Sequence, residues 1–186
     1  TATGQRLNSS VGMGKALEEV EPHYREACRR WKGSCASPYR RRGIGLGAMW
    51  YGIGNTGVRN PSTAKVEMNQ KGGVTLFTGA ADMGQGSTTV LVQIACEVLG
   101  LEPESLRVVA ADTRYTTNAG ASSASRQTYI SGNAVLDACN KLADVLLTEA
   151  SGILRAPKDR LRLEGGYAVD SLDQSRRVSF ARLAQT

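Results

Sequence analysis

The sequence predicts a mixed α/β (α+β) fold, and three observations carry that prediction. Two long segments repeat apolar residues at three- and four-residue spacing, two short ones alternate apolar and polar residues around a Gly-rich turn, and helical and strand-like stretches alternate along all 186 residues without a linker between them. That length suits a single domain, here residues 1–186, with a real core. Hydrophobic residues at 41% and charged residues at 22% are the proportions of a soluble globular protein. No apolar run approaches the ~20 residues that cross a bilayer, so no membrane role and a cytoplasmic location are expected. The chain opens on Thr1 without a basic-then-apolar leader pattern, and is expected to start inside something longer or to have been trimmed.

From Ser9 or Ser10 to about Trp31 the spacing predicts a helix. Val11, Ala16, Leu17, Val20, Tyr24 and Cys28 supply an apolar stripe, Ser10 is the candidate N-cap, and Pro22 leaves either a kink or two shorter helices. Residues 43–54 set glycine between apolar residues and read as a strand whose backbone something approaches closely. Residues 64–68 and 74–78 flank Asn69-Gln70-Lys71-Gly72-Gly73 and predict a hairpin. A helix follows from about Ser87 to Leu99, ended by Gly100, and residues 106–110 read as a short buried strand. Residues 112–125 are a polar stretch, and a second long helix is expected from about Arg126 to Ile153. The tail reads as short strands at 161–163, 167–169 and 177–178.

Several functions lose support at this level. Cys28, Cys35, Cys96 and Cys139 are scattered without a CxxC pair, which argues against zinc ribbons and iron–sulfur ligation by this chain, and Cys96 and Cys139 fall on apolar helical faces. The formal charge of +6 gathers around Arg25, Arg29, Arg30, Lys32 and Arg40-Arg41-Arg42 without interleaved aromatics, which fits a solvated face or a subunit contact better than nucleic acid. His23 lies in a basic helical segment and reads as a surface residue. No Ser–His–Asp set and no hydrolytic carboxylate pair is readable, so any redox chemistry would have to come from a cofactor.

Two segments do share one design: a polar Gly/Ser-rich turn that opens into a long helix, at 78–86 and at 117–128. The free N–H groups of a helix N-terminus suit an anionic group, and glycine admits a bulky ligand to the backbone. Gln85, between two glycines, would present a donor and an acceptor to a heteroaromatic ring. Ordinary capped turns are the plainer reading of the same residues.

The motifs Met83-Gly84-Gln85-Gly86 with Gln93-Ile94-Ala95, Ala124-Ser125-Arg126-Gln127-Thr128-Tyr129 with Gly132-Asn133-Ala134-Val135, and Tyr51-Gly52-Ile53-Gly54-Asn55-Thr56 resemble, in order and spacing, those of the molybdenum hydroxylase family (xanthine dehydrogenase and aldehyde oxidase large subunits). The resemblance is clearest from about Gly43 to Cys139. It implies a fragment of the molybdopterin-binding domain, within an oxidoreductase that hydroxylates an aldehyde or N-heterocycle with water as the oxygen source. It further implies a molybdenum–molybdopterin cofactor, either plain or as the cytosine dinucleotide, with iron–sulfur clusters and FAD on other domains or subunits. By position, Met83, Gly84, Gln85 and Gly86 and the loop Ser125, Arg126, Gln127 and Thr128 match cofactor-binding residues. Thr56, Asn55 and Ala124 match the substrate pocket.

Asn55 stands where purine-oxidising relatives place an aromatic ring, which argues against a purine held in the same way. The family's GGxFGGK-type segment and its late glutamate base are absent from this sequence. They are expected before Thr1, after Thr186 or on another chain. The segment alone is therefore expected to be inactive, with the rest of the catalytic subunit, the iron–sulfur and flavin parts and a small-molecule substrate as its partners. The competing expectation is a cofactor-free binding or interaction module that keeps the family fold.

Overall fold

The computed structural model describes residues 4, 6–31, 37–49, 51–54 and 57–186. They fall into two compact units, Thr1–Trp50 and Tyr51–Thr186.

The first unit is built on one helix, α1 (Met13–Trp31), which runs through Pro22 without dividing. It starts later than the Ser10 cap expectation, because Ser10 takes a left-handed φ of 54° and the Gly12 carbonyl accepts the Ala16 N–H at 2.9 Å. None of its residues is buried. Its cations pair along the helix, Arg25 with Glu21 at 2.5 Å and Arg29 and Arg30 with Glu26 at 3.1 and 2.9 Å. The strand expected over residues 43–54 does not form: the described part has no ladder partner, and Leu46, Met49, Tyr51 and Ile53 are exposed. Alternating apolar residues make a strand only when a neighbouring strand takes up their backbone groups.

The second unit holds two three-stranded sheets. In the first, β1 (Ala64–Met68) pairs antiparallel with β2 (Val74–Thr78), and β2 pairs parallel with β3 (Leu106–Ala110), with Val66 opposite Leu76 and Leu76 opposite Val108. The parallel pair requires a crossover, made by α2 (Ser87–Leu99). Gly100 ends α2 in a left-handed turn, where an added Cβ would run into the Leu163 carbonyl. On β2, Val74, Leu76 and Thr78 point to the core, while Thr75 and Phe77 are half-buried on the other face. Only Leu106 of β3 is fully buried, because β3 borders a single neighbour in this sheet.

The second expected helix splits into a wide π turn, Gln127–Ser131, and α3 (Gly132–Leu154). Leu91, Ala95 and Leu99 of α2 meet Val135, Cys139 and Leu146 of α3 in one core with Leu76. The second sheet is antiparallel, β4 (Leu161–Glu164), β5 (Tyr167–Asp170) and β6 (Asp173–Ser179), with α4 (Phe180–Leu183) closing the chain. Gly165 and Gly166, both at positive φ, make the tight β4–β5 turn. No helix among the described residues is long and apolar enough to cross a membrane.

Candidate functional site

The carboxyl ends of β2 and β3 lie side by side, with Thr78 opposite Ala110, and the two polar loops leave from those ends. In open α/β sheets this edge is where ligands bind. The Ala111 N–H donates to the Thr78 carbonyl at 2.9 Å. Gly79 has no room for a side chain, because a Cβ there would collide with the Thr117 carbonyl oxygen. The strand ends thus bring loop 79–86 against loop 111–126.

Loop 79–86 is held from within. Asp82 accepts the N–H groups of Gly84 (2.9 Å) and Gly86 (3.3 Å) through one oxygen and of Thr88 (3.0 Å) through the other. These bonds, those of Thr88 and Gly84 foremost, hold its carboxyl below the ordinary aspartate value. The N-terminus of α2 therefore already has its anion, in Asp82 rather than in a ligand. Gly84 and Gly86 take φ of 104° and 76°, a conformation that side chains resist. Gln85 accepts the Met83 N–H at 2.6 Å through Oε1, and its Nε2 donates to the Ala81 carbonyl at 3.0 Å and to Ser87 Oγ at 3.1 Å.

The second loop is built on strain and on a buried cation. Ala124 and Ser125 are consecutive non-glycine residues at φ of 46° and 58°, a cost of roughly 1–3 kcal/mol each that surrounding contacts must offset. Arg126 follows, 2% exposed. Its guanidinium donates to Asn60 Oδ1 and to the carbonyls of Ala119, Ala121 (3.3 Å) and Pro61 (2.6 Å). All four partners are uncharged oxygens, and no carboxylate among the described residues forms an ion pair with the guanidinium. Gly120 completes the cradle, because a Cβ at its φ of 76° would come within 2.6 Å of Arg126 Cζ.

A chain of hydrogen bonds joins the loops. Ser62 Oγ donates to Ser131 Oγ (3.0 Å), Ser131 to Gln127 Oε1 (2.8 Å), Gln127 Nε2 to Ser122 Oγ (2.8 Å) and Ser122 to the Ala81 carbonyl (3.3 Å). That carbonyl also receives Gln85 Nε2. Between the loops lies a cavity of about 470 Å³ whose walls bring together Met83, Gln85, Ala124, Ser125, Arg126, Gln127 and Thr128. Gly84 and Gly86 belong to the same loop. Asn55 and Thr56 lie outside the described residues. Their neighbour Gly54 is placed: its N–H donates to the Ala124 carbonyl at 2.6 Å.

The cavity suits a large polar cofactor with an anionic end. Its walls carry small side chains at Ala124 and Ser125, hydroxyls at Ser122, Ser125 and Thr128, and amides at Gln85 and Gln127, over the buried Arg126. Asp82, Ser122 and Asn60 were missed by sequence reasoning. Asn60-Pro61 reads locally as a turn signal, and nothing in it points to a residue 66 positions away.

The family model described as "Molybdopterin cofactor-binding domain" matches residues 15–186. The chain is similar to the 6-hydroxypseudooxynicotine dehydrogenase complex subunit gamma of Paenarthrobacter nicotinovorans, at 35% identity over 73% of this chain and 17% of that protein. It is also similar to the putative xanthine dehydrogenase molybdenum-binding subunit of Escherichia coli, at 30% identity over 90% of this chain and 22% of that protein. The chain thus spans about a fifth of the length of these curated relatives. Among solved structures, the aldehyde oxidoreductase from Desulfovibrio desulfuricans superposes with a TM-score of 0.62 and 32% identity over 74% of this chain and 15% of that one.

Proposed function

The chain belongs to the molybdopterin cofactor-binding domain family, and from that membership we propose that it supplies the cofactor-holding loops of a cytoplasmic molybdenum hydroxylase. The complete enzyme would hydroxylate an aldehyde or N-heterocycle with water as the oxygen source. Residues 1–186 would be one part of its molybdopterin-binding domain, inactive by itself. The rest of the catalytic subunit and the iron–sulfur and flavin domains or subunits would be its partners.

One observation carries this reading: two Gly/Ser loops at the carboxyl ends of adjacent parallel strands share one cavity and one hydrogen-bond chain. Met83, Gly84, Gln85 and Gly86 would form one wall of the cofactor site, and Ser125, Arg126, Gln127 and Thr128 the other. When bound, the molybdenum cofactor supplies the two-electron redox chemistry that no side chain here can. The chain's own contribution is to bind and orient. Glycines 84 and 86 leave the backbone open, the hydroxyls of Ser125 and Thr128 offer donors to the anionic end, and Gln127, 5% exposed, donates to Ser122, whose hydroxyl reaches the Ala81 carbonyl of the first wall. Ala124, kept small, and Asn55 and Thr56, one and two residues beyond the Gly54 tether, would shape the substrate side.

A second reading draws on one observation as well. The Gln85 amide is satisfied by its own loop, with both Nε2 hydrogens engaged, as expected of a cofactor-free module that keeps the family fold. Elemental molybdenum and oxidised-pterin fluorescence, measured on the full-length subunit from a host that makes the cofactor, separate the two. Roughly one molybdenum per subunit supports the hydroxylase and justifies a screen of aldehydes and heterocycles. Neither signal, in a host that loads a control molybdoenzyme, leaves the binding module.

A further inference from the structure

Asn60 does not line the cavity, but it bonds both to Arg126, under one cavity wall, and to Gly54. Its Oδ1 accepts the Nε–H of Arg126, and its Nδ2 donates to the Gly54 carbonyl at 3.0 Å. Gly54 in turn donates its N–H to the Ala124 carbonyl at 2.6 Å. The ring closes through Arg126, two residues past Ala124, whose guanidinium also takes up the Pro61 carbonyl at 2.6 Å. Gly54, buried and at φ of 72°, is thereby gripped from both its N–H and its C=O. On the other side, Arg126 pins Ala119 and Ala121, so the strained pair Ala124–Ser125 is bracketed by fixed points.

We propose that Asn60 is a positioning residue whose single amide sets the spacing between the segment ending at Gly54 and the Arg126-anchored loop. Resting on the reading above, that spacing sets how close the substrate-side segment stands to the second wall of the cavity. The chemistry fits an amide and no other side chain of this size. One end must accept from a buried guanidinium and the other must donate to a carbonyl, and both tasks are met without adding charge. An aspartate in its place would neutralise Arg126, but would set an oxygen against the Gly54 carbonyl oxygen. The same geometry gives Arg126 a role that runs through its neighbours: its guanidinium holds the loop, and the loop meets the ligand.

The test is made on the complete subunit, with Asn60→Ala and Asn60→Asp compared with wild type by amide hydrogen exchange and by steady-state kinetics. In Asn60→Ala, exchange should quicken roughly tenfold or more both in residues 51–54 and in residues 119–126, as expected for losing hydrogen bonds to a buried charged group. KM should rise by about the same factor, with kcat moving less than about threefold and molybdenum content unchanged, since substrate placement is disturbed more than the reacting centre. Asn60→Asp should keep residues 119–126 protected while residues 51–54 exchange faster and KM stays high. Unchanged exchange in both segments overturns the proposal. So does a fall in kcat at constant KM, which marks a general loss of folded enzyme, and so does full recovery of KM in Asn60→Asp. If Asn60→Ala does not fold, the split response of Asn60→Asp decides. A wild-type subunit without molybdenum would overturn the cofactor reading instead, and the exchange pattern would still decide whether Asn60 couples the two segments.

Discussion

Gln85 and Arg126 sit on opposite walls of one cavity and relate to it in different ways. Gln85 is exposed, and its three hydrogen bonds stay within residues 81–87. Gln85→Ala should therefore leave the melting temperature nearly unchanged and lower turnover of the complete enzyme by well over roughly tenfold, the scale of losing an oriented polar contact at a reacting centre. Turnover assays alongside molybdenum content check this, and normal turnover at full molybdenum would remove Gln85 from the site. The motif around Gln85 was legible because its glycines and its amide are neighbours in the chain. The bonding of Arg126 was not. Its acceptors are mostly backbone carbonyls, present at every residue and therefore without a signature, and two of them lie more than sixty positions upstream. The Arg126 guanidinium is thus bonded into the protein through oxygens that no local pattern announces.

Among elements, those specified by local periodicity match expectation closely. The hairpin of β1 and β2 and the span of α2 fall at the expected residues, because alternation, a Gly-rich turn and a terminal glycine all act within a few positions. The last strand, β6, runs from Asp173 to Ser179 and was legible only at its final residues. Asp173, Gln174, Ser175 and Arg176 carry no apolar alternation; Asp173 pairs with Asp170 of β5, and the three residues after it fill the register shift before pairing resumes at Arg177. The reverse happened over residues 43–54, where alternation was present and the described residues join no strand ladder. Helix α2 also depends on a residue outside its own span, Asp82. Because the Asp82 carboxyl is held below its ordinary value in the folded protein, its contribution is fully present above the ordinary carboxylate range. It is lost as pH falls through the depressed value. Thermal melts should accordingly show Asp82→Ala less stable than wild type at neutral pH, with the gap closing in acid. A gap that stays constant with pH would show that the charge of Asp82 does no capping.

In the second unit as a whole, α3 is the shared wall, packing against β1 of the first sheet and against β4, β5 and β6 of the second. Cys139 and Leu146 on its inner face are 0% and 2% exposed. Leu146→Ala should cost about 2–5 kcal/mol, the range for a large-to-small change in a packed core, measurable by denaturant melts. Burial pushes the Cys139 thiol up to about 12, so it should resist thiol reagents in the native state while half-exposed Cys28 reacts. Cys139 labelling that follows global unfolding, and that quickens in Leu146→Ala, would mark α3 as part of one cooperative unit. Native labelling of Cys139 at the rate of Cys28 would show that this core opens locally. That both thiols on α2 and α3 belong to the core was legible from helical spacing. That one helix serves two sheets was not, because it depends on which strands pair.

The parallel partnership of β2 with β3 also predicts an order of events in time. The β1–β2 hairpin closes over a short turn and can form on a microsecond scale, whereas β3, separated from β2 by residues 79–105, is expected to pair more slowly because a longer loop must close first. The loops that line the cavity leave the far ends of β2 and β3, so their meeting depends on this pairing. A newly made chain is therefore expected to have its hairpin before it has its pocket, and a ligand of the cavity would bind only after the parallel pair has closed.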